Sequence, residues 1–168
     1  PEETGIPSGV IADFLTELKN DPTLDMHTVL FVKNGAVIAS AEFGEHSMGI
    51  PKYVFSASKS VTALAIGMLI DDGKLSMNEK LVDIFGDLTN TISKLRLRDV
   101  TVETLLTMRS CSIFNEVSSM TTPDWQSEFM NSLTRGTVNT DFNYNSLNTY
   151  MLAAIVRRKT GKGLVEYL

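Results

Sequence analysis

The sequence predicts a mixed α/β chain of the α+β kind: one helix, one β-hairpin, then a long helical stretch. Three observations predict it. Residues 27–43 (HTVLFVK-NG-AVIASAEF) read as two strand-rich arms around a two-residue turn. From about residue 56 the strand pattern gives way to helical spacing. Hydrophobic residues are 43% and charged residues 21% of 168, the balance of a folded domain with room for one core of ordinary size.

The elements follow in order. Ser8 is a candidate N-cap for a helix over 8–20, whose Val10, Ile11, Phe14, Leu15 and Leu18 form an apolar stripe, and Asn20-Asp21-Pro22 ends it. In the hairpin, Asn34-Gly35 suits a turn that needs positive φ at both central residues. Residues 57–71 (ASKSVTALAIGMLID) read as a helix closed by Gly73 in a left-handed cap. Leu81, Val82, Ile84 and Phe85 form a short apolar turn. Thr101 is placed to cap a helix through Met108 that buries Val102, Leu105 and Leu106. Residues 123–134 are weakly helical around Trp125, Phe129 and Met130, and residues 146–158 are strongly so, with basic residues in the last turn where they suit the helix dipole. A further amphipathic segment opens at Leu164. Two strands do not make a stable sheet alone, so the hairpin is expected to find strand partners beyond Leu168 or on another chain or copy.

Charge and composition narrow the function classes. The net charge is −5, against a nucleic-acid partner, whose footprint would be basic. Most of it lies in residues 1–50, where eight carboxylates face Lys19 and Lys33; this acidic stretch reads as a solvated face. Cys111 is the single cysteine, so no internal disulfide or zinc-finger spacing exists, and two histidines, His27 and His46, argue against a histidine-rich metal site. No apolar run reaches the roughly 18 residues of a membrane span. The chain begins at Pro1 with no signal peptide in view, and localisation stays open.

Searches for G-x-S-x-G, G-x-G-x-x-G, a P-loop, H-E-x-x-H and an EF-hand loop fail. One constellation survives: Ser56-Ala57-Ser58-Lys59, an S-x-x-K at a helix start. Residues i and i+3 share a helical face, so the Lys59 amine can reach the Ser56 hydroxyl, which needs a base to become a nucleophile. The partial positive charge of a helix N-terminus disfavours a protonated lysine there, and its first N–H groups can donate to an oxyanion. A purely structural account is equally open on the residues: Ser56 or Ser58 caps the helix and Lys59 points to solvent. The second element is Phe142-Asn143-Tyr144-Asn145-Ser146, before the 146–158 helix. Tyr144 can present its hydroxyl to a site, with a positive neighbour such as Lys59 stabilising tyrosinate; alternatively it packs as an N-terminal staple while Ser146 caps the helix.

Motif order goes further. Phe55-Ser56-Ala57-Ser58-Lys59-Ser60-Val61-Thr62 is close to F-S-x-S-K-S-x-T, and it follows the segment VLFVKNGAVIASAEFG. Gly73-Lys74-Leu75-Ser76 with Glu79 to Asp83, Val100 to Met108, and Phe142 to Ser146 with Leu152 and Thr160-Gly161 follow in order. In this the chain resembles the serine β-lactamase-related family, which includes class C β-lactamases, D-Ala-D-Ala carboxypeptidases of penicillin-binding type and β-lactamase-fold esterases. The resemblance implies a β-lactamase/transpeptidase-like fold, with residues 1–55 the first part of the sheet subdomain, residues 56–168 mostly the helical subdomain, and the remaining strands outside this chain. It implies Ser56 as the acylated nucleophile, Lys59 as its proton partner, Tyr144 as a second acid/base group, and no metal or organic cofactor. The Ser56 amide would give one oxyanion donor and an absent strand the other.

Ser146 stands where many members have asparagine, a shorter reach that tilts the substrate from β-lactams toward esters or amides. Arg109-Ser110-Cys111-Ser112 replaces the family's small T-S-G-like stretch. Lys159-Thr160-Gly161 spells the K-T-G box but follows a helix, so it is not read as the functional box; that box, K-T-G or H-x-G, is expected downstream of Leu168. The expected partner is a small-molecule or peptide substrate, and His27 and His46 are expected to be non-catalytic. The 168 residues alone are expected to be a poor catalyst. The alternative function is a non-catalytic penicillin-binding-like homologue serving as a binding or scaffold domain, which would form no covalent adduct.

Overall fold

The computed structural model describes residues 1–45 and 49–168, so the expectation for His46 lies outside the described residues. These divide into two compact units, Pro1–Tyr53 and Val54–Leu168.

The first unit opens with a 3-10 turn, Glu2–Thr4, and the helix α1, Ser8–Asn20. Ser8 is the first helical residue rather than the cap. The N-cap is Pro7, which has no capping side chain, and the Ser8 N–H donates instead to Glu2 Oε1 at 2.9 Å. A carboxylate at a helix start meets the positive end of the dipole, so the preceding turn does the work expected of a serine. The hairpin is β1, Thr28–Lys33, antiparallel to β2, Ala36–Glu42. Asn34 and Gly35 both have positive φ, 53° and 78°, the mirror-image turn whose twist matches that of the strands. The pairing slips after Phe31↔Ala39 to Val32↔Val37, which leaves Ile38 as an extra residue, a β-bulge that the residue pattern does not announce. Phe14 of α1 meets Phe31 of β1 edge to face, ring centroids 5.8 Å apart. Leu30, Val32 and Val37 are exposed. The two strands are the whole sheet among the described residues.

The second unit is helical and holds the core. A 3-10 turn, Phe55–Ala57, leads into α2, Ser58–Asp71. Thr62, Ala65, Ile66 and Leu69 of α2 are buried at the i, i+3, i+4, i+7 spacing of one face. Its end is a Schellman cap: Lys74 N–H reaches the Leu69 carbonyl at 2.9 Å and Gly73 N–H the Ile70 carbonyl at 3.0 Å. Short helices α3, Leu81–Ile84, and α4, Thr91–Arg96, precede α5, Val102–Leu106. Thr101 caps α5 in a reciprocal box with Thr104, as expected. The helix stops before Met108 because that residue turns to φ 57°, and Leu106 is only half-buried. Two short helices, α6, Glu116–Ser119, and α7, Trp125–Asn131, lead to α8, Ser146–Thr160, and the chain closes with α9, Leu164–Tyr167.

Ile66, Leu69, Phe85, Leu105, Phe129, Met151 and Ile155 are fully buried together. Each contributes about 1.5–3 kcal/mol of transfer free energy. The helix α8 supplies seven buried residues and packs on both α5 and α2, whose first turn carries Lys59, while Tyr144 lies two residues before the start of α8. Lys159 and Thr160 lie within the last turn of α8 rather than after it. Lys159 Nζ pairs with Glu79 Oε1 at 2.5 Å and Gly161, at φ 76°, terminates the helix.

Candidate active site

Ser56 lies in the 3-10 turn and Lys59 in the first turn of α2. That turn adds nothing to the face argument: three residues separate them, and Lys59 Nζ donates to Ser56 Oγ at 2.9 Å. Neither serine caps α2. The N-cap position is Ala57, without a capping side chain, and Ser58 Oγ donates to the Phe55 carbonyl at 2.6 Å. The Ser56 hydroxyl is thus left for other partners. Phe55, just before it, has φ 44°; a bulky residue there stores strain of about 1–3 kcal/mol, a cost that concentrates at functional sites.

Tyr144 arrives from the other side of the sequence. Its hydroxyl stands 2.7 Å from Ser56 Oγ, and its ring centroid is 5.2 Å from Lys59 Nζ. Ser56 Oγ therefore bridges the amine and the phenol. Hydrogen bonding to Lys59 first, and to Ser56 second, holds the Tyr144 phenol below its usual pKa. Tyr144 is about half exposed and so is not a packed staple. A half-exposed phenol on a buried scaffold is accessible to a substrate.

The scaffold is Asn145, which is 2% exposed and is the true N-cap of α8, not Ser146. Its Oδ1 accepts from Leu147 N–H at 2.8 Å, and its Nδ2 donates to the carbonyls of Ser112 and Phe114 at 3.2 and 2.7 Å. One amide thus ties the start of α8 to the 112–114 loop and fixes the residue after Tyr144. Asn143 N–H adds a bond to the Met108 carbonyl at 2.8 Å. Asn145→Ala is expected to destabilise the protein by about 2–4 kcal/mol, because it removes a cap and strands two buried carbonyls. Urea unfolding checks this; a loss under about 0.5 kcal/mol would show the amide to be dispensable.

Glu116, at the start of α6, was not legible as a site residue. Its Oε1 accepts from Ser146 N–H at 2.8 Å. Bonding to Ser146, with the Lys59 charge adding to it, holds its carboxyl below the ordinary range. The signal that could have found this region is Asn115-x-x-Ser118, which forms a reciprocal capping box. Ser146 itself, predicted as a substrate-binding residue, lies at the first position of α8 with its backbone N–H on Glu116.

Other nucleophiles fare less well. Cys111 is 1% exposed; burial, then the Asp141 charge, pushes its thiol up, away from reactive thiolate. It is packed by Gly136, at φ 117°, where a Cβ would lie 3.3 Å from Cys111 Sγ and 2.9 Å from Asp141 Oδ2, so only glycine fits. His27, in the first unit, stands 3.6 Å from Asp25 Oδ2. Among the described residues no cluster of three acidic, histidine or cysteine side chains could hold a metal. No described helix is long and apolar enough to cross a membrane.

A family model described as Beta-lactamase matches residues 26–168. The solved structure of EstA from Arthrobacter nitroguajacolicus Rue61a superposes with a TM-score of 0.72 at 20% identity, over 93% of this chain and 42% of that one. FmtA from Staphylococcus aureus gives 0.68 at 18%, over 95% and 45%, and a family VIII carboxylesterase gives 0.55 at 22%, over 67% and 31%. At these identities the likeness is one of fold, and the chain spans less than half the length of each of the three. A search among curated proteins returned no match.

Proposed function

The chain belongs to the beta-lactamase family, and from that premise we propose that the complete protein is a serine hydrolase working through an acyl-enzyme. The observation that carries the reading is Ser56 Oγ held between Lys59 Nζ at 2.9 Å and the Tyr144 hydroxyl at 2.7 Å. Ser56 Oγ attacks the substrate carbonyl while its proton passes to the Tyr144 oxygen, whose phenolate form is favoured by hydrogen bonding to Lys59. The same proton then returns to the leaving alkoxide or amine. Water repeats the sequence to release the acid and regenerate Ser56. No metal or organic cofactor takes part.

The substrate class is an ester or amide ahead of a β-lactam. Ser146 in place of asparagine supports this, as does the carboxylesterase among the fold neighbours. In this proposal Ser56, Lys59 and Tyr144 are catalytic, and Ser146 lines the substrate side. The oxyanion is held by the Ser56 N–H and a donor on a strand outside these residues. That strand, from the same polypeptide or a second copy, also pairs with the hairpin. The test is treatment of the full-length protein with a fluorophosphonate and with penicillin, followed by mass spectrometry of the peptide that contains Ser56. A stoichiometric adduct on Ser56 supports the reading, and no adduct with either reagent would favour a binding or scaffold role.

A further inference from the structure

Next to Tyr144 lies a cavity of about 280 Å³ whose lining includes Ile113, Asn115, Glu116, Arg135, Asn143 and Tyr144. Ligand pockets run from about 300 to 1,000 Å³, so this one suits a short chain. Its charges are unequally matched. Glu116 is engaged by Ser146 N–H at the start of α8, and the Lys59 charge also acts on it. Asp141, the acid nearest to Arg135 in sequence, accepts from Thr137 N–H at 2.7 Å. Among the described residues the Arg135 guanidinium has neither an ion pair nor a hydrogen bond, and only the Arg135 backbone N–H is used, on the Cys111 carbonyl at 2.8 Å. The Asn143 side-chain amide is likewise without a hydrogen bond among the described residues. The pocket therefore offers a planar cation and an amide, both with open donors, beside the hydroxyl that faces the nucleophile. A guanidinium presents paired donors that match a carboxylate.

We infer that this pocket selects an acyl chain ending in a carboxylate, with Arg135 as the specificity-determining residue and Asn143 as a second donor. The inference rests on the acyl-enzyme reading of Ser56 and names its substrate class: monoesters of short dicarboxylic acids over the corresponding uncharged fatty acyl esters. Arg135 is exposed, so the pair is screened by water, and the gain is of the size of an exposed ion pair, about two- to fivefold in kcat/KM.

The experiment compares three p-nitrophenyl esters of equal chain length on the full-length protein: mono-adipate, hexanoate and 6-aminohexanoate. The expected order in kcat/KM is adipate first, then hexanoate, then the cationic ester. The adipate-to-hexanoate ratio is expected to fall to about one in Arg135→Gln, to be restored in part by Arg135→Lys, and to narrow as salt is raised from 0.05 to 0.5 M. A ratio near one in the wild type, a ratio unchanged in Arg135→Gln, or a preference for the cationic ester would overturn the inference. Should none of the three esters be turned over and none acylate Ser56, the acyl-enzyme reading fails, and the pocket is then judged by binding alone. Adipic monoamide and hexanamide are titrated by NMR, with the Arg135 side-chain signal as readout. Tighter binding of the anion that is lost in Arg135→Gln supports the inference, and equal binding refutes it.

Discussion

Replacing Ser56 by alanine in the full-length protein is expected to abolish the covalent fluorophosphonate adduct and to lower ester hydrolysis by about 10³- to 10⁶-fold. The size of the loss follows from the role. Lys59 and Tyr144 both act through Ser56 Oγ, with contacts of 2.9 and 2.7 Å, so removing that oxygen leaves two acid/base groups with nothing to activate except water. The fold is not at stake. Ser56 is exposed, sits in a 3-10 turn rather than a buried face, and does not cap α2, so the melting temperature should stay within about 2 °C of the wild type. An alanine variant that retains hydrolysis, or that is still labelled on the same peptide, would remove Ser56 from the mechanism.

The second large effect belongs to Tyr144. Tyr144→Phe is expected to cost about 10²- to 10⁴-fold in kcat/KM, the range of a positioned acid/base group. Its signature is in the pH profile. A base acts in its deprotonated form, so activity rises with pH through its pKa. Hydrogen bonding to Lys59 lowers that pKa, so the rising limb should lie below the usual phenol range near about 10. Phenylalanine should erase the limb. Lys59→Met removes the largest cause of the lowering, so the limb of its residual activity should move to higher pH. A Tyr144→Phe enzyme with the wild-type limb intact would assign the base elsewhere. Both variants are read on the same ester, which keeps substrate effects out of the comparison.

Neighbouring residues explain which parts of this molecule could be read from the chain. The hairpin was legible because Asn34-Gly35 dictates its own geometry: both residues tolerate positive φ, and the flanking arms have strand composition. The capped helix α5 and the Gly73 ending of α2 were legible for the same reason, since a Thr or a Gly at the right offset satisfies backbone groups within a few residues. Ser56 and Lys59 are three residues apart, so a single turn brings them together. The order of motifs pointed to the family to which the chain belongs.

Contacts between distant segments were the part that sequence reasoning missed. Ser8 looked like a cap, but the Glu2 carboxylate reached its N–H first. Ser146 looked like the cap of α8, whereas Asn145 took that position because its amide could also serve two carbonyls of the 112–114 loop. The short helices α4 and α6 start from the local caps at Asn90 and at the Asn115/Ser118 box, and present too few apolar residues for a periodic signal. Glu116 and Arg135 are ordinary surface charges until the 108–115 and 133–145 segments are laid side by side, with Ile113 N–H on the Leu133 carbonyl and Arg135 N–H on that of Cys111.

By itself, then, the sequence determined the family, the hairpin, the main helices and the S-x-x-K pair, because each rests on backbone and side-chain geometry within about one turn or on the order of motifs along the chain. Only the tertiary structure decided that the Tyr144 hydroxyl stands 2.7 Å from Ser56 across 88 residues of chain, that Asn145 anchors it, and that the Arg135 guanidinium forms no ion pair among the described residues. The physical reason is that such distances are set by how α8 packs on α2 and α5 through a shared core, and no local rule carries that information.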